Sequence, residues 1–334
     1  MTRSVLRSLQ ERYGPSLRQE IADWVARLEY QPFSGMMRYQ LGEVDQHFEP
    51  VAPTGGKRFR PLLCFAACAA AGGNWRDALS IAAGIELLHN FSLIHDDIED
   101  RDPTRHHRAT VWKVWGEPQA INAGDGMLAL ANRVVASTPQ EPQIAVDVAR
   151  RFADTTLELT EGQYLDMSFE GRQDVTPEEY MAMISLKTGA LINFSAWSGA
   201  FIAGASDAVC TATSRYGAEL GLAFQIHDDI QGIWGTAAAT GKQEAGDLHN
   251  RKKTLPVLLA LSRAGPDGRR TLTSFYRRDN DDIEAVLRVL ADTDARGLAT
   301  AAVEGHREAA LAALRTGVGP DPALAGLVPE LTGG

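Results

Sequence analysis

Ile94-His95-Asp96-Asp97-Ile98 recurs in the second half of the chain as Ile226-His227-Asp228-Asp229-Ile230, and each copy closes an apolar run. The first copy continues to Asp100 as D-D-x-x-D. Residues four apart on a helix share a face, so Asp96 and Asp100 can reach one cation together. Carboxylates gathered after an apolar helix repel one another unless a cation neutralises them. Hard oxygens without a Cys or His ligand pattern favour magnesium, which takes one or two carboxylates plus substrate phosphates. Two helices from different halves could thus present paired carboxylates to one shared site. A solvated acidic helix end is the competing reading, and the second pair in an equivalent apolar context weighs against it.

Cations gather beside the acidic motifs at Lys57-Arg58-Phe59-Arg60, Arg105 to Arg108, Lys187, and Lys242 with Arg251-Lys252-Lys253. Arg forks and Lys point charges suit a metal-bridged, diphosphate-like ligand. Gly55-Gly56 before Lys57 lets backbone approach an anion closely. The chain lacks a G-x-x-x-x-G-K-[ST] loop, a G-x-G-x-x-G turn and an H-E-x-x-H helix, so nucleotide hydrolysis, dinucleotide chemistry and zinc proteolysis lack their cradles. With 33 Lys+Arg against 43 Asp+Glu, a formal charge of −10, general nucleic-acid binding is excluded.

The elements that position these groups are helical. Leu17, Ile21, Trp24 and Leu28 form one stripe opening after Pro15, and Met37, Leu41, Val44 and Phe48 repeat the rhythm before Pro50. Leu62 to Ala71 is an apolar helix ended by Gly72-Gly73, and Asn74 caps the next, which runs to the acidic cluster. Thr176-Pro177-Glu178-Glu179 is a capping box opening a long helix through Met183, Leu186 and Leu191. Loops are expected at 50–60, 101–110, 167–176, 232–251 and 264–270. No composition shift divides the 334 residues, which predicts one all-α domain over 1–334 with a loose tail from 317 to 334. Thr188 to Ser206 carries no charge but includes Asn193, two serines before its end and three glycines, which predicts a buried helix rather than a membrane span. The start lacks the apolar stretch of a signal peptide, and Cys64, Cys68 and Cys210 are too few for a disulfide framework, which points to a cytoplasmic setting.

Taken in order, Gly55-Gly56-Lys57-Arg58-Phe59-Arg60-Pro61, the Asp motif at 96–100, Lys187-Thr188, Phe224-Gln225-Ile226-His227-Asp228-Asp229, Lys242, Gly246-Asp247 and Lys252-Lys253-Thr254-Leu255-Pro256 resemble the trans-isoprenyl diphosphate synthases, the polyprenyl synthetase family. The resemblance runs from about residue 15 to about residue 315. It implies a single isoprenoid-synthase helical bundle around a deep apolar cavity, a homodimer, and three magnesium ions. It assigns Asp96, Asp97, Asp100, Asp228 and Asp229 to magnesium. Arg105, Lys187, Thr188, Gln225, Lys242 and Lys252 are assigned to the substrates, chiefly the allylic diphosphate, and Lys57, Arg60 and His89 to isopentenyl diphosphate. The reaction it implies is ionisation of the allylic diphosphate, attack by the isopentenyl double bond, and transfer of the final proton to released diphosphate.

Two positions depart from the family pattern. Arg105 is followed by His106 where a second Arg is usual, leaving His106 or Arg108 to serve isopentenyl diphosphate, and the second Asp motif ends in Gly232. Chain length is read in this family just before the first Asp motif, where Phe91 and Ser92 resemble synthases that stop at geranylgeranyl diphosphate (C20). A terpene cyclase-like enzyme on the same scaffold is the alternative, supported by His106 alone. A non-catalytic partner subunit ranks last, because every metal-binding Asp position is filled.

Overall fold

The computed structural model describes residues 4–52, 56–236 and 245–333. Two compact units emerge, one of Met1–Thr156 with Phe194–Thr213, the other of Leu157–Asn193 with Ser214–Gly334. Both are helical; among the described residues the only strands are two short ones in the first unit.

In the first unit α1 (Val5–Val25) is capped by Ser4, whose hydroxyl accepts the Arg7 N–H, and buries Leu9, Tyr13, Leu17, Ile21 and Trp24. The helix begins ten residues before Pro15, which lies inside it on the exposed side. Leu28 falls beyond its end. The second expected stripe also stops early: α2 (Gln31–Gln40) gives way to Gly42 at φ 76°, and Val44 pairs with Pro50 in an isolated bridge. Glycine terminates a helix here because it takes left-handed φ without a Cβ clash.

α3 (Phe59–Ala70) is followed by a 3₁₀ turn (Trp75–Ala78) in which Asn74 accepts the Arg76 N–H, then by α4 (Leu79–Glu99). Twelve uncharged, mostly apolar or small residues of α4 are buried, so the helix is held on nearly all sides before it reaches the acids. Its main neighbour is α6 (Glu117–Ala136), entered through α5 (Val111–Trp115), and α7 (Pro142–Gly171) follows. The stretch 101–110, expected as a loop, folds as a hairpin of β1 (Thr104–Arg105) and β2 (Arg108–Ala109). Its two-residue turn is His106 and His107 at φ 50° and 62°, the backbone that favours Asn-Gly.

In the second unit Thr176 caps α8 (Pro177–Ile184) with both hydrogen bonds of the expected capping box. The helix does not continue regularly to Leu191: a π turn (Ser185–Gly189) precedes α9 (Ala190–Ile202), whose residues from Phe194 on belong to the first unit. α10 (Asp207–Trp234), which belongs to the second unit from Ser214 on, is followed by α11 (Gly246–His249), α12 (Leu255–Arg263), α13 (Pro266–Tyr276), α14 (Ile283–Asp292) and α15 (Ala295–Thr316). Tyr180, Met183, Ile226, Ile230, Leu255, Leu258 and Val303 share one core cluster. The loops expected at 167–176, 232–251 and 264–270 are shorter than predicted, since α7 reaches Gly171, α10 reaches Trp234 and α13 starts at Pro266.

The tail corrects the sequence reading. Asp321 accepts the N–H groups of Ala323 and Leu324 and starts α16 (Pro322–Thr332), which buries Leu324, Leu327, Val328 and Leu331. Tyr216 on α10 donates to the Leu324 carbonyl at 2.7 Å. Burying such a side chain is worth about 1.5–3 kcal/mol, so four of them outweigh the entropy suggested by the glycines and prolines around them. No described helix is long and apolar enough to cross a membrane.

Candidate active site

Lys57 and Arg60 stand at the start of α3. Arg58, at φ 49°, bends the chain into that helix, donates to the Leu41 carbonyl at 3.1 Å and meets the buried Glu86 carboxylate at 3.5 Å. Gln10 on α1 donates to the Lys57 carbonyl at 3.0 Å, fixing the backbone while the Lys57 side chain stays exposed. Arg60 Nη1 lies 3.3 Å from His89 Nε2. A guanidinium only donates, so Nε2 accepts and the neutral ring carries its proton on Nδ1. Burial holds His89 well below the ordinary histidine range, with Arg60 beside it adding to the effect. Burial also pushes Arg60 down to about 10, so the guanidinium stays charged near neutral pH. The buried Arg60 Nε has no hydrogen-bond partner, a spare donor on a cation and a good match for an anion. Glu86, missed in the sequence, sits among these cations; burial raises its pKa and Arg58 pulls it back. A lone acid inside the apolar run 79–94 is the signal that could have found it.

At the end of α4, Asp96 is half-buried, Asp97 is 1% exposed and Asp100 is exposed. Arg105, carried by the hairpin, donates Nε to Asp97 Oδ1 at 2.7 Å. Burial lifts the Asp97 carboxyl to about 6 despite that arginine, and its Oδ2 is buried without a hydrogen-bond partner. The second expected phosphate-binding Arg is not supplied by Arg108: its guanidinium donates to the carbonyls of Tyr39 and Val44 and lies over the Tyr39 ring. His106, exposed on the turn, remains. Upstream on the same helix, Phe91 packs its ring edge-on against His95 at 4.8 Å, and the Ser92 hydroxyl donates to the His89 carbonyl.

In the second unit Asp228 is exposed and Asp229 is 2% exposed. Asp229 accepts from the Tyr180 hydroxyl at 2.6 Å, the Gln225 amide at 3.0 Å and the Leu255 N–H at 3.3 Å. Burial raises it to about 7 against the pull of these donors. The Gln225 oxygen in turn accepts from the Thr188 hydroxyl at 2.8 Å. Lys187, in the π turn, reaches Asp166 on α7 at 2.5 Å. That approach depends on Gly162, where a Cβ would lie 2.7 Å from the Lys187 Cα. Asp166 was not foreseen, since nothing in its local sequence ties it to a lysine on another helix.

The acid that the second motif lacks at Gly232 is replaced in space. Gly232 lies one turn after Asp228, and a Cβ there would overlap the Asp247 carboxylate. Lys252 is exposed, whereas Lys253 is spent on the Phe169 and Glu170 carbonyls at the end of α7. Lys242 lies outside the described residues.

Among the described residues no three acidic, His or Cys side chains form a ready-made cation cage. The outward carboxylates form two separate groups instead: Asp96 and Asp100 one turn apart at the end of α4, and Asp228 on α10 one turn before Gly232, against which the Asp247 carboxylate lies. That donor set fits magnesium, whose shell is completed by water and substrate phosphate. The orphaned Asp97 oxygen adds a further acceptor at the first cluster.

The polyprenyl synthetase family matches residues 43–293. The chain belongs to this family. A (2E,6E)-farnesyl diphosphate synthase of Mycobacterium tuberculosis is 40% identical over 311 residues, covering 91% of this chain and 85% of the relative. A geranylgeranyl diphosphate synthase of the same species is 44% identical over 232 residues, covering 70% of this chain and 66% of the relative. The crystal structure of a polyprenyl synthetase from Streptomyces coelicolor superposes with a TM-score of 0.89 at 34% identity, covering 98% of this chain and 99% of that one. As a polyprenyl synthetase the chain is a chain-elongating trans-prenyltransferase of the farnesyl or geranylgeranyl type. The cyclase alternative finds no support among these relatives.

Proposed function

We propose that the enzyme condenses isopentenyl diphosphate with allylic diphosphates and stops chiefly at geranylgeranyl diphosphate. The observation that carries the chain length is Phe91, a single buried aromatic five residues before Asp96 with the small Ser92 after it. Asp96, Asp100 and Asp228, with Asp247 beside Gly232, are the carboxylates we assign to magnesium, three ions in all by the family pattern. Bound there, magnesium stabilises the charge of the departing diphosphate.

The chain's own residues do the rest. Lys57, charged Arg60 and neutral His89 hold isopentenyl diphosphate, with Glu86 keeping the Arg58 and Arg60 charges compensated in a buried setting. Arg105, Lys187, Thr188, Gln225, Lys242 and Lys252 hold the substrate diphosphates, and the positive charges of the arginine and the three lysines oppose the negative charge that develops as the allylic C–O bond breaks. The isopentenyl double bond forms the new C–C bond, and released diphosphate takes the proton, so no protein base is needed. Incubating the protein with magnesium, isopentenyl diphosphate and each of the C5, C10 and C15 primers, then weighing the products, tests the reading. Release of diphosphate and a hydrocarbon with no consumption of isopentenyl diphosphate would overturn it.

His106 is the weak point of the isopentenyl half-site. His106→Arg is expected to lower KM for isopentenyl diphosphate several-fold and to leave KM for the allylic primer unchanged, because an always-charged fork replaces a ring only partly protonated near neutral pH. Steady-state kinetics with each substrate varied in turn checks this.

A homodimer is supported by an apolar face on α7, where Leu157 and Tyr164 are each 70% exposed two turns apart, with Met167 at 40% beyond them. Sedimentation at twice the 36.2 kDa chain mass is the expected result. Three buried free thiols support a reducing, cytoplasmic setting.

A further inference from the structure

The repeated pentapeptide treats its two aspartates differently, and the second copy shows why. Asp228 faces outward. Asp229, next on the helix, is 2% exposed, and both of its oxygens are occupied by protein donors from three elements: Tyr180 on α8, Gln225 one turn earlier on α10, and the Leu255 N–H that opens α12. Each of these groups gives a hydrogen to the carboxylate, so a magnesium ion would have to compete with them for its oxygens. Tyr180 is itself buried, so a displaced hydroxyl would be left without water, at a cost of about 1–3 kcal/mol.

We infer that Asp229 is a positioning residue and not a magnesium ligand: it sets the orientation of the Gln225 amide and, through it, of the Thr188 hydroxyl. A side-chain amide has a donor end and an acceptor end that differ little in shape, so only its partners decide which way it points. In its ionised form Asp229 only accepts, and its Oδ1 takes the Gln225 NH₂ group. The Gln225 oxygen must then face Thr188, whose hydroxyl donates to it at 2.8 Å. Thr188 belongs to the π turn that also carries Lys187, so the chain of bonds runs from the α8 core to the segment bearing the diphosphate-binding lysine. Tyr180 completes the arrangement by holding Asp229 Oδ2, which leaves Oδ1 for the amide.

This inference rests on the reading of Asp228 and its neighbours as the metal side of the second motif, and the experiment separates the two. Mn²⁺ replaces magnesium as the probe, with inorganic diphosphate present, and bound metal is counted by electron paramagnetic resonance. KM for farnesyl diphosphate is measured in parallel. Asp228→Asn is expected to weaken Mn²⁺ binding at least tenfold. Asp229→Asn and Tyr180→Phe are expected to bind Mn²⁺ within about twofold of the unsubstituted protein while raising KM for farnesyl diphosphate by about three- to tenfold, the loss of one net hydrogen bond. Combining Asp229→Asn with Tyr180→Phe is expected to cost less than the product of the single effects, because both act through one network. Weakened Mn²⁺ binding in Asp229→Asn equal to that in Asp228→Asn overturns the inference, as does an unchanged KM in the variants. If Asp229→Asn fails to fold, Tyr180→Phe decides alone, since it keeps the carboxylate and removes one of its donors. Absence of Mn²⁺ binding by the unsubstituted protein would instead overturn the metal reading itself.

Discussion

Asp96→Asn is expected to lower turnover by about 10²–10³-fold at saturating magnesium and substrates, equivalent to about 2.7–4 kcal/mol of lost transition-state stabilisation. The substitution keeps the shape of the side chain and removes its charge. Asp96 and Asp100 are one helical turn apart at the end of a helix whose other faces are buried, so the pair is held in place rather than free to be replaced by a neighbour. Asp97 cannot take its place, because Arg105 holds one of its oxygens and the other, though unpartnered, is buried in the protein. The half-saturating magnesium concentration is expected to rise in the same variant. Near-normal turnover, in a protein whose melting temperature shows it folded, would sink the assignment of this cluster to metal.

Phe91→Ala is expected to move the main product from C20 to C25 or longer. A helix rises about 1.5 Å per residue, so Phe91 lies roughly 7–8 Å from Asp96 along α4. An anchored diphosphate leaves its hydrocarbon tail to seek the apolar wall, because burial there removes it from water. Phe91 is 9% exposed and rests on the His95 ring, so its own ring is braced and makes a firm floor. Truncation leaves an apolar cavity that a longer chain can fill. The rate of the first condensation, set at the Asp end, is expected to change little. Removing a buried Phe also costs about 3–5 kcal/mol of stability, so Phe91→Leu, with a smaller loss, serves as a second variant. Mass analysis of the products decides; an unaltered distribution in both folded variants would place the floor elsewhere.

Local chemistry was readable before the structure, and long-range pairing was not. The Thr176 box, the Asn74 cap and the Asp pairs are short patterns whose partners lie within four residues, so the sequence alone carries their geometry. Glu86 with Arg58, and Asp166 with Lys187, join residues far apart in the chain. Only folding reveals such pairs, although an isolated acid in an apolar run hints that a partner exists. The different surroundings of Asp228 and Asp229 are hidden for the same reason, since Tyr180 and Leu255 come from elements remote in sequence. Glycine and proline content masks the tail helix. Leu324, Leu327, Val328 and Leu331 carry the 3-and-4 spacing of a buried helix face, after an Asp321-Pro322 start, and that pattern deserved more weight than the glycine content.

The π turn at Ser185–Gly189 also bears on how relatives of this chain are compared. A π turn accommodates one residue more than the α-helix it interrupts, and each residue turns an α-helix by about 100°. A one-residue gap opened or closed in this segment of an alignment is therefore a rotation rather than a change of length. Placed before Lys187, it would swing the lysine and threonine to another face while α9 kept its register. Superposing relatives on Ala190–Ile202, and only then matching the lysine, preserves the ancestry of both.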